Sequence, residues 1–283
     1  MNNSRLNNII GHLKRSRSAT IGIIIITLLV FAAIFAPILA PYDPIETNVE
    51  DRLMKPCIEH PLGTDHLGRD VYSRLLFGAR ISLTIGIVVV SISALIGIIL
   101  GIYSGFYGGL IDSTIMRLVD AFLTFPSVFL AIVIAGVLQP GITSVIIALI
   151  VVGWTKYARV GRGSVLSLKE KEFVESAISL GVHDRYIMFR HIFPNIITPI
   201  IIVATLGMAD AILSSASLSF LGFGPQPPAP EWGAMLNAGR PFMQTDPYLM
   251  IFPGLAIMIL VLGFNLLGDG LRDILDPKRE IIE

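Results

Sequence analysis

Six long apolar stretches, separated by shorter polar segments, dominate the pattern of this chain. They lie at residues 21–40, 82–103, 121–138, 142–157, 196–218 and 248–267. A helix needs roughly 17 to 25 such residues to cross the hydrocarbon core of a membrane. The fourth stretch is short, and the fifth contains Asp210 and several serines. The pattern predicts an all-α polytopic membrane protein with six transmembrane helices.

A polar segment between the fourth and fifth stretches has the pattern of two helices joined by a turn. In its sequence ESAISLGVHDRYIMFRHIFP, Glu175 and Ala177 belong to a first helical run. Gly181 follows where a tight turn can use a positive φ, and Asp184 can cap a second helix. Pro194 is expected to end that helix before the next apolar stretch. An ordinary amphipathic hairpin at the membrane surface has the same pattern.

Two further polar segments separate apolar stretches. Residues 61–83 contain an amphipathic run that predicts a surface helix, on which Asp70 and Arg74 are spaced to pair across one turn. Residues 222–240 contain four prolines, which predict an irregular loop rather than a helix. Trp232 in this loop is of the type that anchors proteins at the membrane boundary.

Composition supports a membrane location. Hydrophobic residues make up 53% of the 283 residues and charged residues 15%, and the mean hydropathy is +0.74. About a quarter of a typical soluble domain is charged. The net charge is zero, so no global field indicates a nucleic-acid partner. The single cysteine, Cys57, excludes an intrachain disulfide and a cysteine-built zinc site, and its role stays open.

The first apolar stretch follows basic residues and ends in small ones, as a cleaved secretory signal would. Its core is about twenty residues rather than the 7 to 15 of a signal, and Pro41 directly after Ala40 is a poor cleavage context. We therefore expect an anchor helix that is retained.

The basic residues predict the orientation. With the amino terminus inside, fifteen of the 21 lysines and arginines fall on inner segments and six on outer ones. Basic residues near the ends of spans tend to stay in the cytoplasm. Both termini and the Glu175 segment are therefore expected to be cytoplasmic.

The chain lacks the motifs of the common catalytic sites. It contains no GxxxxGK[ST], HExxH, CxxC or GxSxG sequence, and its five histidines are not clustered as metal ligands. We predict no catalytic residues, no metal site and no ATP site in this chain.

The fifth apolar stretch carries the candidate residues for substrate passage. A carboxylate within a span is costly and usually faces a bundle interior or a water-filled cavity. Asp210, Ser214 and Ser217 share one helical face. The hypothesis is that this face lines a translocation path and that Asp210 attracts a cation. Hydrogen bonding of Asp210 to neighbouring helices for packing is the alternative.

The Glu175 segment resembles the EAA loop of binding-protein-dependent ABC importer permeases, with Ser176 and Phe193 departing from the usual Ala and Leu. The sequences GTDHLGRD with SRLLFGARISL, ASLSFLGFGPQPPAPEWG, FPGLAI and FNLLGDGLRDILDP are similar to the C-type permeases of the dipeptide, oligopeptide and nickel importers. Together these motifs cover most of residues 40–277.

The resemblance implies one anchor helix followed by a five-helix permease core of the type I ABC importer kind. It divides the chain into a cytoplasmic terminus and anchor (1–40), an external loop with an amphipathic helix (41–81), the core (82–268) and a cytoplasmic tail (269–283). Within the core, 158–195 is the cytoplasmic coupling loop and 222–247 an external loop. Glycines along and after the second span, at 86, 97, 101, 105, 108 and 109, are expected where helix backbones approach closely.

The resemblance also implies the partners and the residue roles. The partners are a homologous B-type permease, two ABC ATPases that bind ATP and Mg, an extracytoplasmic substrate-binding protein and the lipid of the bacterial cytoplasmic membrane. The residues implied in coupling to the ATPases are Glu175, Ala177, Gly181, Asp184, Arg190 and Pro194. Glu231 and Trp232 are implied to face the binding protein, and the membrane-boundary role of Trp232 stays open.

These observations favour a transport subunit rather than an enzyme. The expected function is import of di- or oligopeptides, and import of nickel or a nickel chelate is the alternative. A secondary transporter would carry inverted repeats, and we see none between the halves. A membrane scaffold without transport would have no ATPase partner.

Overall fold

The computed structural model describes residues 16–275, and all regular structure in that range is helical. The helices are α1 Arg17–Ile34, α2 Ala36–Leu39, α3 Val71–Tyr107, α4 Gly109–Thr124, α5 Ser127–Val137, α6 Ile142–Lys169, α7 Glu172–Ser179, α8 Asp184–Tyr186, α9 Phe193–Phe220, α10 Trp232–Gly239 and α11 Tyr248–Leu275. A π-helical turn, Ile187–Ile192, joins α8 to α9, and a 3-10 turn, Arg240–Phe242, follows α10. Several predicted features, namely the basic residues Arg5, Lys14, Arg15, Lys278 and Arg279 and the end of the predicted tail, lie outside the described residues.

Five helical segments within residues 16–275 are long and apolar enough to cross a membrane: α1, α3, α6, the continuous run Asp184–Phe220 and α11. They coincide with five of the six predicted spans. The third predicted span, over residues 121–138, corresponds to a bent pair of helices rather than to one continuous helix. Here α4 and α5 meet at an angle of 89° and form at most one broken span. Phe125 is extended, with ψ of 138°, because the ring of Pro126 disfavours helical backbone in the residue before it.

The external surface helix expected between the first two spans does not exist as a separate element. Asp70 caps α3, accepting a hydrogen bond from the Ser73 amide at 2.7 Å, and the helix then continues for 37 residues. The predicted Asp70–Arg74 ion pair is also wrong. The Asp70 carboxylate is hydrogen-bonded to His60 Nδ1 at 2.9 Å, and Arg74 Nε lies 3.7 Å from the Asp65 carboxylate.

The four prolines predicted an irregular loop over residues 222–240, but part of this segment is helical, namely α10. All four precede α10, so none of them removes a hydrogen bond from that helix. The helix packs on α9 at a point of close approach, where a Cβ at Gly233 would lie 2.4 Å from the Ala216 carbonyl.

Helices α3 and α6 pack backbone to backbone. A Cβ on Gly97 would lie 2.5 Å from the Trp154 carbonyl, and one on Gly101 would lie 2.6 Å from the Ala158 carbonyl. Gly105 continues this stripe against Val165. The prediction that glycines mark close helix approach is confirmed for these three, whereas Gly108 and Gly109 have open space and positive φ.

Candidate functional site

The segment after α6 forms the predicted hairpin. Gly181 has φ of +71°, its amide donates to the Ile178 carbonyl at 3.0 Å, and the Val182 amide donates to the Ala177 carbonyl at 3.1 Å. These two bonds make a Schellman motif, in which the residue at the Gly181 position adopts the left-handed conformation. The prediction of a tight turn at Gly181 is confirmed.

The second arm of the hairpin differs from the prediction in two ways. The cap of α8 is His183, whose Nδ1 accepts from the Arg185 amide at 3.2 Å, and not Asp184. Pro194 does not end the helix but lies in the first turn of α9. Amide groups in the first turn of an α-helix have no carbonyl partner within that helix, so a proline is tolerated there. The π-helical turn before it shifts the register, so that the Phe193 amide donates to the Met188 carbonyl.

A small apolar core attaches the hairpin to the ends of α3 and α6. Its buried members from the hairpin include Val174, Ala177 and Ile187, and they pack with Phe106 of α3 and Val165 of α6. The hairpin is therefore packed directly against the ends of α3 and α6.

The opposite face of the hairpin is exposed and largely apolar. It presents the large hydrophobic side chains Phe173, Ile178, Leu180, Tyr186 and Phe189. Glu175 and Arg190 are exposed on the same hairpin. Exposed apolar residues grouped in this way, with charged neighbours, are typical of a protein interaction surface.

A cavity of about 530 Å³ opens between α3, α6, α9 and the corner where α4 meets α5. Asp210 and Ser214, two of the three residues proposed for the path, line it. Ser217 does not, and its hydroxyl donates to the Leu213 carbonyl at 2.8 Å. The Asp210 carboxylate lies 3.0 Å from the ammonium of Lys156 on α6.

Lys156 is a residue that sequence reasoning missed at this site. It begins a series of basic residues spaced three apart on α6, each paired with an aspartate of another helix. Arg159 pairs with Asp120 at 2.5 Å, and Arg162 binds Asp112 with contacts of 2.5 and 2.6 Å. The spacing of three residues between these basic side chains was the signal in the sequence, because it places them along one side of a helix.

Glu231 and Trp232 are both buried, which corrects their expected position facing a binding protein or the membrane boundary. Glu231 caps α10 by accepting from the Ala234 amide at 2.8 Å, and burial raises the pKa of its carboxyl. Trp232 donates from its indole nitrogen to the Leu75 carbonyl at 3.0 Å. Trp232 instead holds the loop before α10 against α3, and Glu231 holds it at the start of α10.

No group of three or more histidine, cysteine, aspartate or glutamate side chains within residues 16–275 is arranged to hold a metal ion. The cavity and the exposed face of the hairpin are the two features of the described residues that can bind a ligand or a partner.

The fold defines the class of protein first. It is similar to a chain in structures of the inward-facing MetNI methionine ABC transporter, with a TM-score of 0.59 and 18% identity over 71% of this chain and 96% of that one. It is also similar to a chain in the crystal structure of an amino acid ABC transporter with histidines. That comparison has a TM-score of 0.55 and 17% identity, and it covers 70% of this chain and 92% of that one. This protein has the helical membrane fold of an ABC importer permease, with an amino-terminal anchor helix added.

The sequence then places it in a family. Residues 97–281 match the family described as binding-protein-dependent transport system inner membrane component. Residues 4–56 match the amino-terminal transmembrane domain of oligopeptide transport permease C. The chain belongs to this family of inner-membrane permeases, in its peptide-type branch, and the family consists of transport subunits rather than enzymes.

Individual relatives match along nearly the whole chain. The dipeptide transport system permease protein DppC of Alkalihalophilus pseudofirmus is 47% identical over 266 residues, which is 94% of this chain and 88% of that protein. The glutathione transport system permease protein GsiD of Escherichia coli is 48% identical over the same shares.

Proposed function

We propose that this chain is the transmembrane permease subunit of an ATP-driven importer of small peptides. The observation that carries the proposal is the similarity over 94% of the chain to permeases named for dipeptide and glutathione transport. Both names refer to short peptides or peptide-like compounds, so the shared substrate class is a small molecule with amide bonds and charged ends.

In this proposal, the hairpin transmits movement from two ATPase partners. Its exposed face, with Glu175, Arg190 and Phe189, docks on the ATPases. Ala177 lies on the buried face, and Gly181 holds the turn between the two arms. ATP and Mg bind to the partners, and closure of the ATPases moves the hairpin together with the ends of α3 and α6. Alternating access follows as a rigid-body movement.

The remaining assignments belong to the same proposal. A homologous B-type permease completes the translocation path, and an extracytoplasmic binding protein delivers the substrate. Asp210 and Ser214 line the path, with Ser217 one turn further along α9. The hairpin and both termini lie in the cytoplasm, as the distribution of basic residues favours.

The proposal is tested by uptake in cells that lack this gene. Accumulation of a radiolabelled di- or tripeptide is compared with that of radiolabelled nickel, each with and without a restored wild-type copy. We expect peptide uptake alone to be lost and restored. Loss of nickel uptake alone would replace the peptide substrate with nickel or its chelate, and unchanged uptake of both would contradict the proposal.

A further inference from the structure

The cavity between α3, α6 and α9 contains two buried hydroxyl groups that the proposed path does not use. Ser93 on α3 and Tyr157 on α6 both line it, and each residue is 1% exposed. Neither hydroxyl has a hydrogen-bond partner among the residues that the structure describes. Buried polar groups are rarely left unpaired, because desolvation without a partner is costly. A ligand that enters the cavity and displaces the atoms covering these two hydroxyls would supply the missing partners.

The same cavity presents one charge of each sign side by side. The Lys156 ammonium and the Asp210 carboxylate are 3.0 Å apart, and their side chains are 36% and 74% exposed. This contact uses one of the three N–H donors of Lys156 and leaves the second oxygen of Asp210 available. The Lys156 ammonium lies at the end of a flexible four-carbon stem, so opening this partly exposed contact lets the ammonium move away from Asp210 and leaves room for a short peptide between the two groups.

We propose that this cavity binds a short peptide as a zwitterion. Asp210 accepts from the free ammonium of the peptide, Lys156 donates to its free carboxylate, and the hydroxyls of Ser93 and Tyr157 bond to its amide groups. The inference rests on the proposed function and adds the residues that recognise each end of the substrate.

The charges favour a zwitterion over a simple cation. The pair sums to zero, and the ammonium of Lys156 repels any cation that approaches Asp210. A ligand with both charges satisfies both groups at once. The volume of about 530 Å³ lies within the range of small-molecule sites, about 300 to 1,000 Å³. Apolar walls, which include Val89, Phe122 and Leu149, can accept peptide side chains.

The test measures peptide binding to the permease and ATPase complex in lipid nanodiscs, without binding protein or ATP, so that only the cavity selects the ligand. The probe is radiolabelled alanine tripeptide, displaced by unlabelled tripeptide, its N-acetyl form or its C-terminal amide. Wild type should prefer the unmodified tripeptide over each modified form by about ten- to a hundredfold, as expected for loss of a charged hydrogen bond.

Two single variants separate the two ends of the ligand. Asp210→Asn should abolish the preference over the N-acetyl form and retain the preference over the amide. Lys156→Gln should do the reverse. This crossed pattern identifies direct contacts, because a general loss of structure would weaken all three ligands alike.

Two further variants test the hydroxyls, and one serves as the matched control. Tyr157→Phe and Ser93→Ala should each weaken all three ligands by about two- to tenfold, and neither removes a hydrogen bond of the protein. Asp120→Asn breaks an exposed ion pair with Arg159, and neither residue lines the cavity. It should leave every affinity unchanged.

Several outcomes would overturn the inference: unchanged preferences in both charge variants, an equal loss for all ligands in either, or no saturable binding by wild type. ATP-driven peptide uptake by the same complex, with binding protein added in liposomes, tests the proposed function separately. If uptake proceeds while the crossed pattern is absent, the site is wrong and the function stands.

Discussion

At the scale of single residues, Glu231 has an unusual environment for a carboxylate. It is 1% exposed, yet it accepts a hydrogen bond from the Ala234 amide at the start of α10. Burial disfavours the charged form and raises the pKa of this group above the ordinary 4.5. The folded protein therefore holds a proton that the unfolded chain releases, in the interval between 4.5 and the raised pKa.

The sign of the resulting pH dependence follows from proton binding. Where the folded state binds more protons, the free energy of unfolding falls as pH rises. In Glu231→Gln, we expect the free energy of unfolding no longer to decrease with pH through this group. The variant should melt at the same or a higher temperature than wild type at pH 7, because glutamine keeps the acceptor oxygen. Melting temperatures of the purified complex from pH 4.5 to pH 8 measure this effect.

The exposed Glu59 is the control for this prediction. Glu59→Gln should leave the pH dependence of melting as in wild type. The prediction is contradicted if Glu231→Gln melts at a lower temperature than wild type at pH 7, with a free-energy loss of about 1 kcal/mol, as for loss of a helix cap. That result would show that Glu231 stabilises the fold as a charged group.

At the scale of elements, the contact between α3 and α6 depends on the absence of side chains. We expect Gly101→Ala to destabilise the protein by about 1 to 3 kcal/mol, because the added methyl group meets backbone that cannot move independently. The obstructing atom is the Ala158 carbonyl oxygen at 2.6 Å. The melting temperature of the purified complex measures this effect.

Gly163, on α6 itself, is the matched control, because a Cβ there meets nothing within 4 Å. Gly163→Ala should be neutral or stabilising by up to about 1 kcal/mol, since alanine favours helix more than glycine does. Equal losses in both variants would mean that helix propensity, and not the close packing of α3 and α6, governs the result.

At the scale of the whole molecule, the hairpin is expected to join ATP hydrolysis to movement of the bundle. Gly181→Val places a β-branched residue at φ of +71°, which costs about 1 to 2 kcal/mol. The small core around Val174 and Ile187 should keep the arms attached to α3 and α6. We therefore expect peptide uptake to fall strongly in proteoliposomes, while ATP hydrolysis by the assembled complex persists.

Gly181→Asn keeps the turn, because asparagine tolerates the left-handed conformation. This control should retain most of the uptake. Normal transport by Gly181→Val would show that the conformation at Gly181 has no part in coupling.

Five of the six membrane-crossing segments and the turn at Gly181 could be predicted from the sequence. Apolar length and the need for a positive φ are local properties, which any window of the chain displays. The break at Pro126 was also within reach, because a proline and the residue before it restrict the backbone locally. The prediction of the third span, over residues 121–138, rested on hydropathy and did not use that constraint.

The tertiary structure alone decided which groups meet. Asp210 is visible in the sequence as an isolated carboxylate, but Lys156 lies 54 positions away and reaches it only because α6 packs beside α9. The burial of Glu231 and Trp232 likewise arises where the loop before α10 folds onto α3. The sequence by itself determined the membrane class, the spans and the hairpin turn, through hydrophobicity and backbone preference. The cavity, its paired charges and its unpartnered hydroxyls required the packing of helices distant in the chain.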